Sequence, residues 1–254
     1  MFKAFRILIL LLILAGVSYG TWHTKTRSVE WKHELPVNMY LINGDGSENV
    51  DKYLRSLTVD DFKPVQRFMH DEAERYGRSA NASIEIKLGG IIATLPPAPP
   101  RNGSALEVIL WSLKMRWWAY RNGETSGPGP QVKMFLLYFD PAQTGSLQHS
   151  TGLQKGLIGR VNVFASRDMA RQNNMVITHE FLHTLGATDK YDPATNQPTY
   201  PDGYANPDQQ PPEPQSFAEI MAGRIPVSQT NATIPESLND VVIGSLTARE
   251  INWQ

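Results

Sequence analysis

The sequence contains no cysteine among its 254 residues. Disulfide bonds are therefore excluded, and a domain of this size must be held together by core packing and by any metal it binds. The sequence also lacks an excess of either charge, since 24 lysines and arginines balance 25 aspartates and glutamates. A chain with so little net charge is not expected to have a nucleic-acid partner.

Long apolar runs are missing except at the N-terminus, which reads "MFKAFRILILLLILAGVSYG". Lys3 and Arg6 precede an apolar run over residues 7–17, a pattern typical of a secretory signal. Ser18 and Gly20 are spaced for cleavage by a signal peptidase, whereas nearby aromatic residues suit an uncleaved membrane anchor, and both interpretations stay open. In either case, we expect the rest of the chain outside the cytoplasm, secreted, periplasmic or anchored to the membrane.

The domain organisation predicted from composition is simple. Residues 1–20 form the signal peptide or anchor, residues 21–35 a polar stalk, and residues 36–254 a single domain without internal repeats. A segment rich in proline, glycine and aspartate, "DPATNQPTYPDGYANPDQQPPEPQ", interrupts the last third of the chain. No complete core pattern stands on each side of it, so we interpret it as a long loop and expect it to form a wall of the functional cleft.

Strand and helix patterns alternate along the predicted domain, which indicates an α/β (α+β) fold. The strand patterns are "VNMYLIN", "SIEIKLG", the apolar and therefore central "QVKMFLLYF", and the more exposed "GRVNVFAS". The first helix pattern is "DDFKPVQRFMHDEAERYG", which Gly77 can end. Ser104 and Glu107 form a capping box that begins a second helix. One face of that helix is apolar and is predicted to pack in the protein core. It consists of Leu106, Leu110, Leu113, Trp117 and Tyr120.

Two of the six histidines lie four positions apart in "THEFLHTLGATDKYD", residues 178–192. On a helix, His179 and His183 share one face and can bind a single ion, as in the H-E-x-x-H pattern of zinc enzymes. Glu180 is then the general base that takes a proton from a zinc-bound water. Gly186 can adopt positive φ and turn the chain back, which makes Asp189 the natural third protein ligand.

This pattern resembles the metzincin clan of zinc peptidases, with Asp189 at the position where most members have a third histidine. Aspartate there is similar to the snapalysin branch, and "GATDKYD" is similar to immune inhibitor A-type peptidases. The resemblance implies a metzincin-like twisted mixed sheet, an active-site helix, a methionine turn and a C-terminal helix. Met221 in "FAEIMAG" matches the methionine turn. The resemblance also implies that "GRVNVFAS" is the edge strand that pairs with extended substrate.

The sequence therefore predicts an endopeptidase with one catalytic Zn²⁺ and a polypeptide substrate. Two alternatives stay open, a zinc-containing binding or scaffold protein of the cell envelope, and an amidase that acts on a non-protein amide. Three tyrosines are candidate donors to the transition state: Tyr191, Tyr200 and Tyr204. Three aspartates could bind Ca²⁺ or serve only in turns: Asp192, Asp202 and Asp208. The other four histidines have no partners at metal-ligand spacing, and we interpret them as exposed or structural: His23, His33, His70 and His149.

Overall fold

The computed structural model describes residues 28–78, 83–100, 103–124, 131–154 and 156–254. The predicted signal or anchor, residues 1–20, lies outside these ranges, as does His23. Residues 28–34 belong to the predicted stalk, yet they contact the domain. Trp31 is buried, and its Nε1 donates a hydrogen bond to the carbonyl of Ile251 over 2.7 Å. The indole ring also packs against Trp253, with ring centroids 5.5 Å apart.

The centre of the fold is a mixed, mostly parallel sheet of five strands. The strands are β1 (Leu35–Asn43), β2 (Ile84–Ile92), β3 (Val132–Phe139), β4 (Thr151–Leu153) and β5 (Ile158–Phe164). Their order across the sheet is β2-β1-β3-β5-β4, and only β4, at one edge, runs antiparallel to its neighbour. The prediction that residues 131–139 form a central strand is confirmed, because β3 lies in the middle of this order.

Five α-helices accompany the sheet within the described residues: α1 (Glu48–Ser56), α2 (Lys63–Arg75), α3 (Ala105–Asn122), α4 (Ala170–Leu185) and α5 (Ser245–Glu250). Short 3-10 turns cover Val59–Phe62 and Leu238–Asp240. Four further short strands form two small pairs, β6 (Ala218–Glu219) with β9 (Val241–Val242), and β7 (Ile225–Ser228) with β8 (Asn231–Thr233). The coarse fold class is therefore mixed α/β, as predicted. Of the helices that the structure describes, none is long and apolar enough to cross a bilayer.

The sheet separates two hydrophobic cores, because successive side chains of a strand point to opposite faces. In β3, Met134 and Leu136 face the core that is shared with α1, α2 and α4. Phe135 and Leu137 face a smaller core closed by α3. The capping box predicted for α3 is confirmed, since the backbone N–H of Ser104 donates to the Glu107 carboxylate over 2.7 Å.

The predicted core face of α3 is wrong. Leu106, Leu110, Leu113, Trp117 and Tyr120 are all exposed. The buried face consists of Trp111, Met115 and Ala119, which pack on the sheet. This helix is apolar almost all the way round, so hydrophobic periodicity could not indicate which side faces the core.

The position predicted for "GRVNVFAS" is also wrong. Its strand, β5, is neither exposed nor at the edge of the sheet, because it pairs with β3 on one side and with β4 on the other. Six of its seven residues are buried. The edge strand is the three-residue β4, which is too short to give an alternating pattern. The region after Met221 ends in α5, a helix of only six residues.

Candidate metal centre

The H-E-x-x-H segment lies in the last two turns of α4, a helix with apolar residues on several sides. Ile177, Phe181 and Leu185 are buried in the core shared with α2. His179 and His183 follow one another by one helical turn and stay partly accessible, with side-chain exposures of 17% and 18%. The apolar residues thus fix the helix, and the two imidazoles point together into a cleft.

Gly186 ends this helix and redirects the chain. Its φ is 115°, in the left-handed region that favours glycine, as the sequence predicted. The backbone N–H groups of Gly186 and Ala187 both donate to the carbonyl of Leu182, at 3.1 Å each. This closure reverses the chain and returns Asp189 to the histidine pair.

Three side-chain atoms converge at this point. The Nε2 atoms of His179 and His183 are 3.1 Å apart. Oδ1 of Asp189 lies 3.2 Å from Nε2 of His179 and 3.1 Å from Nε2 of His183. Three ligands of a tetrahedral zinc, each at about 2.0–2.1 Å from the metal, are separated by roughly 3.3 Å. The three atoms therefore have the mutual spacing of a metal-ligand set.

The tautomers of both histidines follow from their other ring nitrogens. Nδ1 of His179 lies 3.0 Å from the carbonyl of Ile220, and Nδ1 of His183 lies 2.8 Å from the carbonyl of Ala187. A carbonyl only accepts hydrogen bonds, so each Nδ1 carries the proton in the neutral ring and each Nε2 presents a lone pair. Two lone pairs and the carboxylate of Asp189 then face one another. Only a proton or a cation can stabilise that arrangement.

The pKa shifts of His179 and Asp189 have the directions expected when positive charge is favoured at this point. Burial alone would lower the pKa of His179, but the contact with Asp189 raises it. Partial burial opposes ionisation of Asp189, yet the hydrogen bonds with His179 and His183 outweigh it and hold the pKa of that carboxyl well below its ordinary range. A proton shared among these groups stabilises them as a bound cation would, because metal ions and protons compete for the same lone pairs.

Glu180 lies beside the histidines and is 7% exposed. Its Oε2 is buried and has no hydrogen-bond partner. Burial raises the pKa of Glu180, and this outweighs the opposite effect of His179 and His183. Ligand atoms from His179, Glu180 and His183 all lie within 4.8 Å of one another. The group could therefore hold a metal ion.

A tight turn supports the site from below. Met221 is fully buried, and its carbonyl accepts a hydrogen bond from the backbone N–H of Lys190 over 3.0 Å. The preceding residue, Ile220, supplies the carbonyl that orients His179. Glu219 is also fully buried, and its carboxylate accepts hydrogen bonds from the backbone N–H groups of Met221 and Ala222, at 2.7 and 3.0 Å. The turn thus positions both the first histidine and the segment that carries Asp189.

The cleft above the histidines has a volume of about 260 Å³. Besides the four site residues it is lined by Tyr191 and by residues 149–152, which are His149, Ser150, Thr151 and Gly152. The long loop over residues 192–215 contributes nothing to this lining, contrary to our expectation. The wall comes instead from β4 and the residues just before it, which the sequence did not indicate.

Asn162 holds this wall in place from β5. Its Nδ2 donates to the carbonyls of Gln148 and His149, at 3.0 and 3.2 Å, and its backbone N–H donates to Oγ of Ser150 over 3.0 Å. Asn162 itself is buried. The sequence gives no distinct signal for this role, because Asn162 follows Arg160 at the spacing of an exposed strand face.

Of the three candidate tyrosines, Tyr191 is the one that lines the cleft. The pKa of its phenol is raised by burial and by the charges of Asp189 and Glu180, so the hydroxyl stays protonated and can donate. Tyr204 donates to Oε1 of Glu213 over 2.7 Å, and Tyr200 is largely exposed with its hydroxyl 3.4 Å from the carbonyl of Pro207.

The three aspartates considered for calcium are not brought together in the part of the chain that the structure describes. Asp192 uses its carboxylate in a turn, where it accepts from the backbone N–H of Ala194 over 2.9 Å and from Oγ1 of Thr195 over 3.0 Å. Asp202 and Asp208 belong to no group with metal-ligand spacing among the described residues.

Comparison with known proteins adds no relative at the level of sequence. No family model matches the chain, and no curated protein is similar to it. The geometry of His179, Glu180, His183 and Asp189 is therefore the basis for a functional conclusion.

Proposed function

We propose that this protein is a zinc-dependent endopeptidase in which Glu180 is the general base. The single observation that carries the proposal is the convergence of two imidazole lone pairs and the Asp189 carboxylate at 3.1–3.2 Å, beside an unbonded Glu180 oxygen. A buried polar atom without a hydrogen-bond partner destabilises the fold, and a catalytic role is one explanation for its presence.

The donor set fits zinc among the common biological cations. Two neutral imidazoles and one carboxylate are borderline ligands of the kind that Zn²⁺ prefers, whereas Ca²⁺ and Mg²⁺ prefer six or more oxygen atoms. Three protein ligands leave a fourth coordination position open, which is the condition for catalysis. When bound, zinc supplies Lewis acidity, which polarises the scissile carbonyl and makes water more acidic.

The residues of the chain would then carry the proton transfers. Glu180 takes a proton from the attacking water and passes it to the leaving amine. Tyr191 lies on the same cleft with a protonated phenol and would donate a hydrogen bond to the developing oxyanion. Neither role requires movement of α4, which is held by the core on its opposite side.

An extended polypeptide is the substrate that the edge strand suits best. β4 pairs with β5 along one side only, and Ser150, Thr151 and Gly152 lie along the cleft. A peptide could add to the free edge of β4 through main-chain hydrogen bonds, with its scissile bond beside the histidines.

We infer a metzincin-like arrangement of the site. It is supported by α4 with its glycine end, by Asp189 in the third ligand position, and by the buried Met221 turn below His179. The apolar N-terminal run with its two cations would place this peptidase outside the cytoplasm.

The experiment that tests this function compares the full chain with Glu180→Gln on unfolded protein, short peptides and cell-wall fragments. We expect cleavage of polypeptide by the wild type, loss with a chelator and recovery with zinc. Glu180→Gln should retain zinc but lose about 100-fold or more in kcat, because only the base is removed.

Two results would contradict the endopeptidase. Stable zinc binding without turnover of any substrate would favour the binding or scaffold protein. Cleavage of cell-wall fragments alone would favour the amidase.

A further inference from the structure

We propose that the outward face of α3 docks on an anionic lipid surface. Six large apolar side chains form this face, which we call the α3 stripe: Leu106, Ile109, Leu110, Leu113, Trp117 and Tyr120. Trp117 is 62% exposed and Tyr120 is 76% exposed. At about 100° per residue, the stripe lies opposite the buried Trp111, Met115 and Ala119.

The α3 stripe is unusual for a protein surface. A helix that is apolar on all sides is normally buried on all sides, and monomeric proteins rarely expose apolar patches larger than roughly 300–600 Å². Here one side packs on the sheet, and no described residue covers the other. An apolar face that the described residues leave uncovered is typical of a docking surface.

The charges beside the stripe indicate the chemistry of that partner. Lys114 and Arg121 are exposed and flank it on one side. Neither has a carboxylate partner among the ion pairs of the described residues. The single acidic residue of α3, Glu107, already accepts hydrogen bonds from the backbone N–H and hydroxyl of Ser104. The partner should thus be apolar in the middle and negatively charged around it.

A lipid surface has this distribution, with acyl chains below anionic headgroups. The aromatic residues agree with it, because tryptophan and tyrosine are enriched at the membrane interface. Trp117 and Tyr120 stack with centroids 5.9 Å apart, and the Arg121 guanidinium lies 6.0 Å from the Trp117 ring. Lysine and arginine can bury their aliphatic stems beside such rings while their charges reach the headgroups.

Two other occupants are disfavoured by charge. A two-fold pairing of α3 with a second copy would place Lys114 close to its own counterpart, since it lies near the middle of the helix. The N-terminal run of this chain is preceded by Lys3 and Arg6, which would add positive charge next to Lys114 and Arg121. Anionic lipid supplies the opposite charge.

A short segment links the N-terminal run to the domain. Ten residues, 18–27, separate the apolar run from Ser28, the first described residue, and ten residues span at most about 36 Å. An anchored run would hold the domain next to the bilayer, where even weak docking is favoured by the high local concentration.

The absence of cysteine makes a direct test possible, because one introduced cysteine carries the only label. We would attach an environment-sensitive fluorophore to Leu113→Cys in the stripe and to Ser228→Cys, an exposed control position in β7. The full chain would be reconstituted in vesicles of phosphatidylcholine, with or without phosphatidylglycerol, that contain an acyl-chain quencher. Zinc content and circular dichroism would verify that each labelled chain is folded.

We expect the quencher to reach the label at residue 113 in anionic vesicles and not the label at residue 228. Lys114→Gln or Arg121→Gln should each weaken docking about fivefold, the effect of one cation near an anionic surface. Equal exposure of both labels to water in both vesicles would overturn the proposal. Shielding of the label at residue 113 that rises with protein density would also overturn it, because that indicates pairing with a second copy. Shielding of this label from water without acyl-chain quenching would overturn it too, because that indicates coverage by the N-terminal run.

Discussion

At the scale of single residues, the site is defined by which atoms carry protons. Two backbone carbonyls, from Ile220 and Ala187, keep the proton of each imidazole on Nδ1 and leave both Nε2 lone pairs facing Asp189. Glu180 is close enough to join the same group, but its buried Oε2 has no hydrogen-bond partner. The proposed roles differ accordingly, with Asp189 as a metal ligand and Glu180 as the general base.

Gly152 is a second residue on which the site depends, although it carries no side chain. A Cβ atom there would lie 2.4 Å from Cβ of His183 and 2.6 Å from the carbonyl of Glu180. We predict that Gly152→Ala forces β4 away from α4, tilts His183 and lowers zinc affinity by roughly tenfold, as changes behind a metal ligand commonly do. Competition with a chromophoric chelator would measure the affinity.

The matched control is Gly145→Ala, on the loop before β4. A Cβ atom there meets nothing within 4 Å, so zinc affinity should be unchanged. Equal affinities of the wild type and Gly152→Ala would show that β4 does not constrain the histidines.

At the scale of elements, the turn below the site is held by one carboxylate. Oε1 of Glu219 accepts from the backbone N–H of Gly244 at 3.0 Å and from Oγ1 of Thr247 at 2.7 Å. Its Oε2 accepts from the backbone N–H groups of Met221 and Ala222 in the turn. Glu219 therefore ties β6 and the Met221 turn to the beginning of α5. The four donors would be buried and unsatisfied without it.

We predict that Glu219→Gln lowers the free energy of unfolding by about 2 kcal/mol, because an amide NH₂ group must then face backbone N–H donors. Zinc affinity should fall as well, since the turn orients His179. Urea unfolding and chelator competition would measure the two effects. Glu236→Gln, at an exposed position, is the control and should change neither. A stable variant with weakened zinc binding would separate the two roles, whereas no change in either would contradict this account.

Much of the element order could be predicted from the sequence. The capping box of Ser104 and Glu107, the glycine end of α4 and the central position of β3 all appear where local chemistry placed them. The first two depend on interactions within a few residues, which short patterns describe well, and the third follows from the continuous apolar sequence of β3.

What the sequence could not indicate depends on long-range packing. The edge strand β4 is three residues long and gives no periodic signal, so the cleft wall was assigned to the wrong segment. His149 is exposed, as interpreted, but the sequence did not indicate that it also lines the cleft, where Asn162 on another strand donates to its carbonyl. The outward face of α3 was mistaken for core because both of its sides are apolar.

At the scale of the whole molecule, Glu250 in the last helix stabilises the segment that carries Asp189. Glu250 accepts hydrogen bonds from Lys190 Nζ at 2.7 Å and from the backbone N–H and hydroxyl of Thr188 at 3.0 and 2.6 Å. Partial burial would raise the pKa of Glu250, but these hydrogen bonds outweigh it and lower the pKa. A lowered pKa in the folded state means that the ionised carboxylate stabilises the fold.

We predict that Glu250→Gln lowers the free energy of unfolding of the metal-free chain by roughly 1–3 kcal/mol at pH 7. The stabilisation by the Glu250 carboxylate is fully present above the pKa of about 4.3 that a glutamate has in the unfolded chain. It is lost as pH falls through the lower pKa of Glu250 in the folded state. The difference between wild type and variant should therefore shrink below about pH 4. Urea titrations with chelator present would measure it.

The control is Glu48→Gln in α1, which removes an exposed ion pair with Lys52. Such pairs contribute little, so its effect should be small at every pH. A Glu250→Gln difference that grows towards acid pH would contradict the assignment of the ionised form.

The sheet also separates the two proposed sites. The metal centre is built on α4, on one face of the sheet, and the α3 stripe lies on the helix that covers the other face. Under the two proposals, the lipid-binding side and the catalytic side are thus separated by the central strands, so docking leaves the cleft accessible.

The most direct test of the central claim is the zinc stoichiometry of the full chain, measured at one pH for wild type, Asp189→Ala and Asp192→Ala. The site geometry predicts one equivalent in wild type, a clear loss in Asp189→Ala and no loss in Asp192→Ala, whose side chain serves a turn. A folded wild-type chain that binds no zinc tightly, or an Asp189→Ala variant that binds it equally well, would contradict the account.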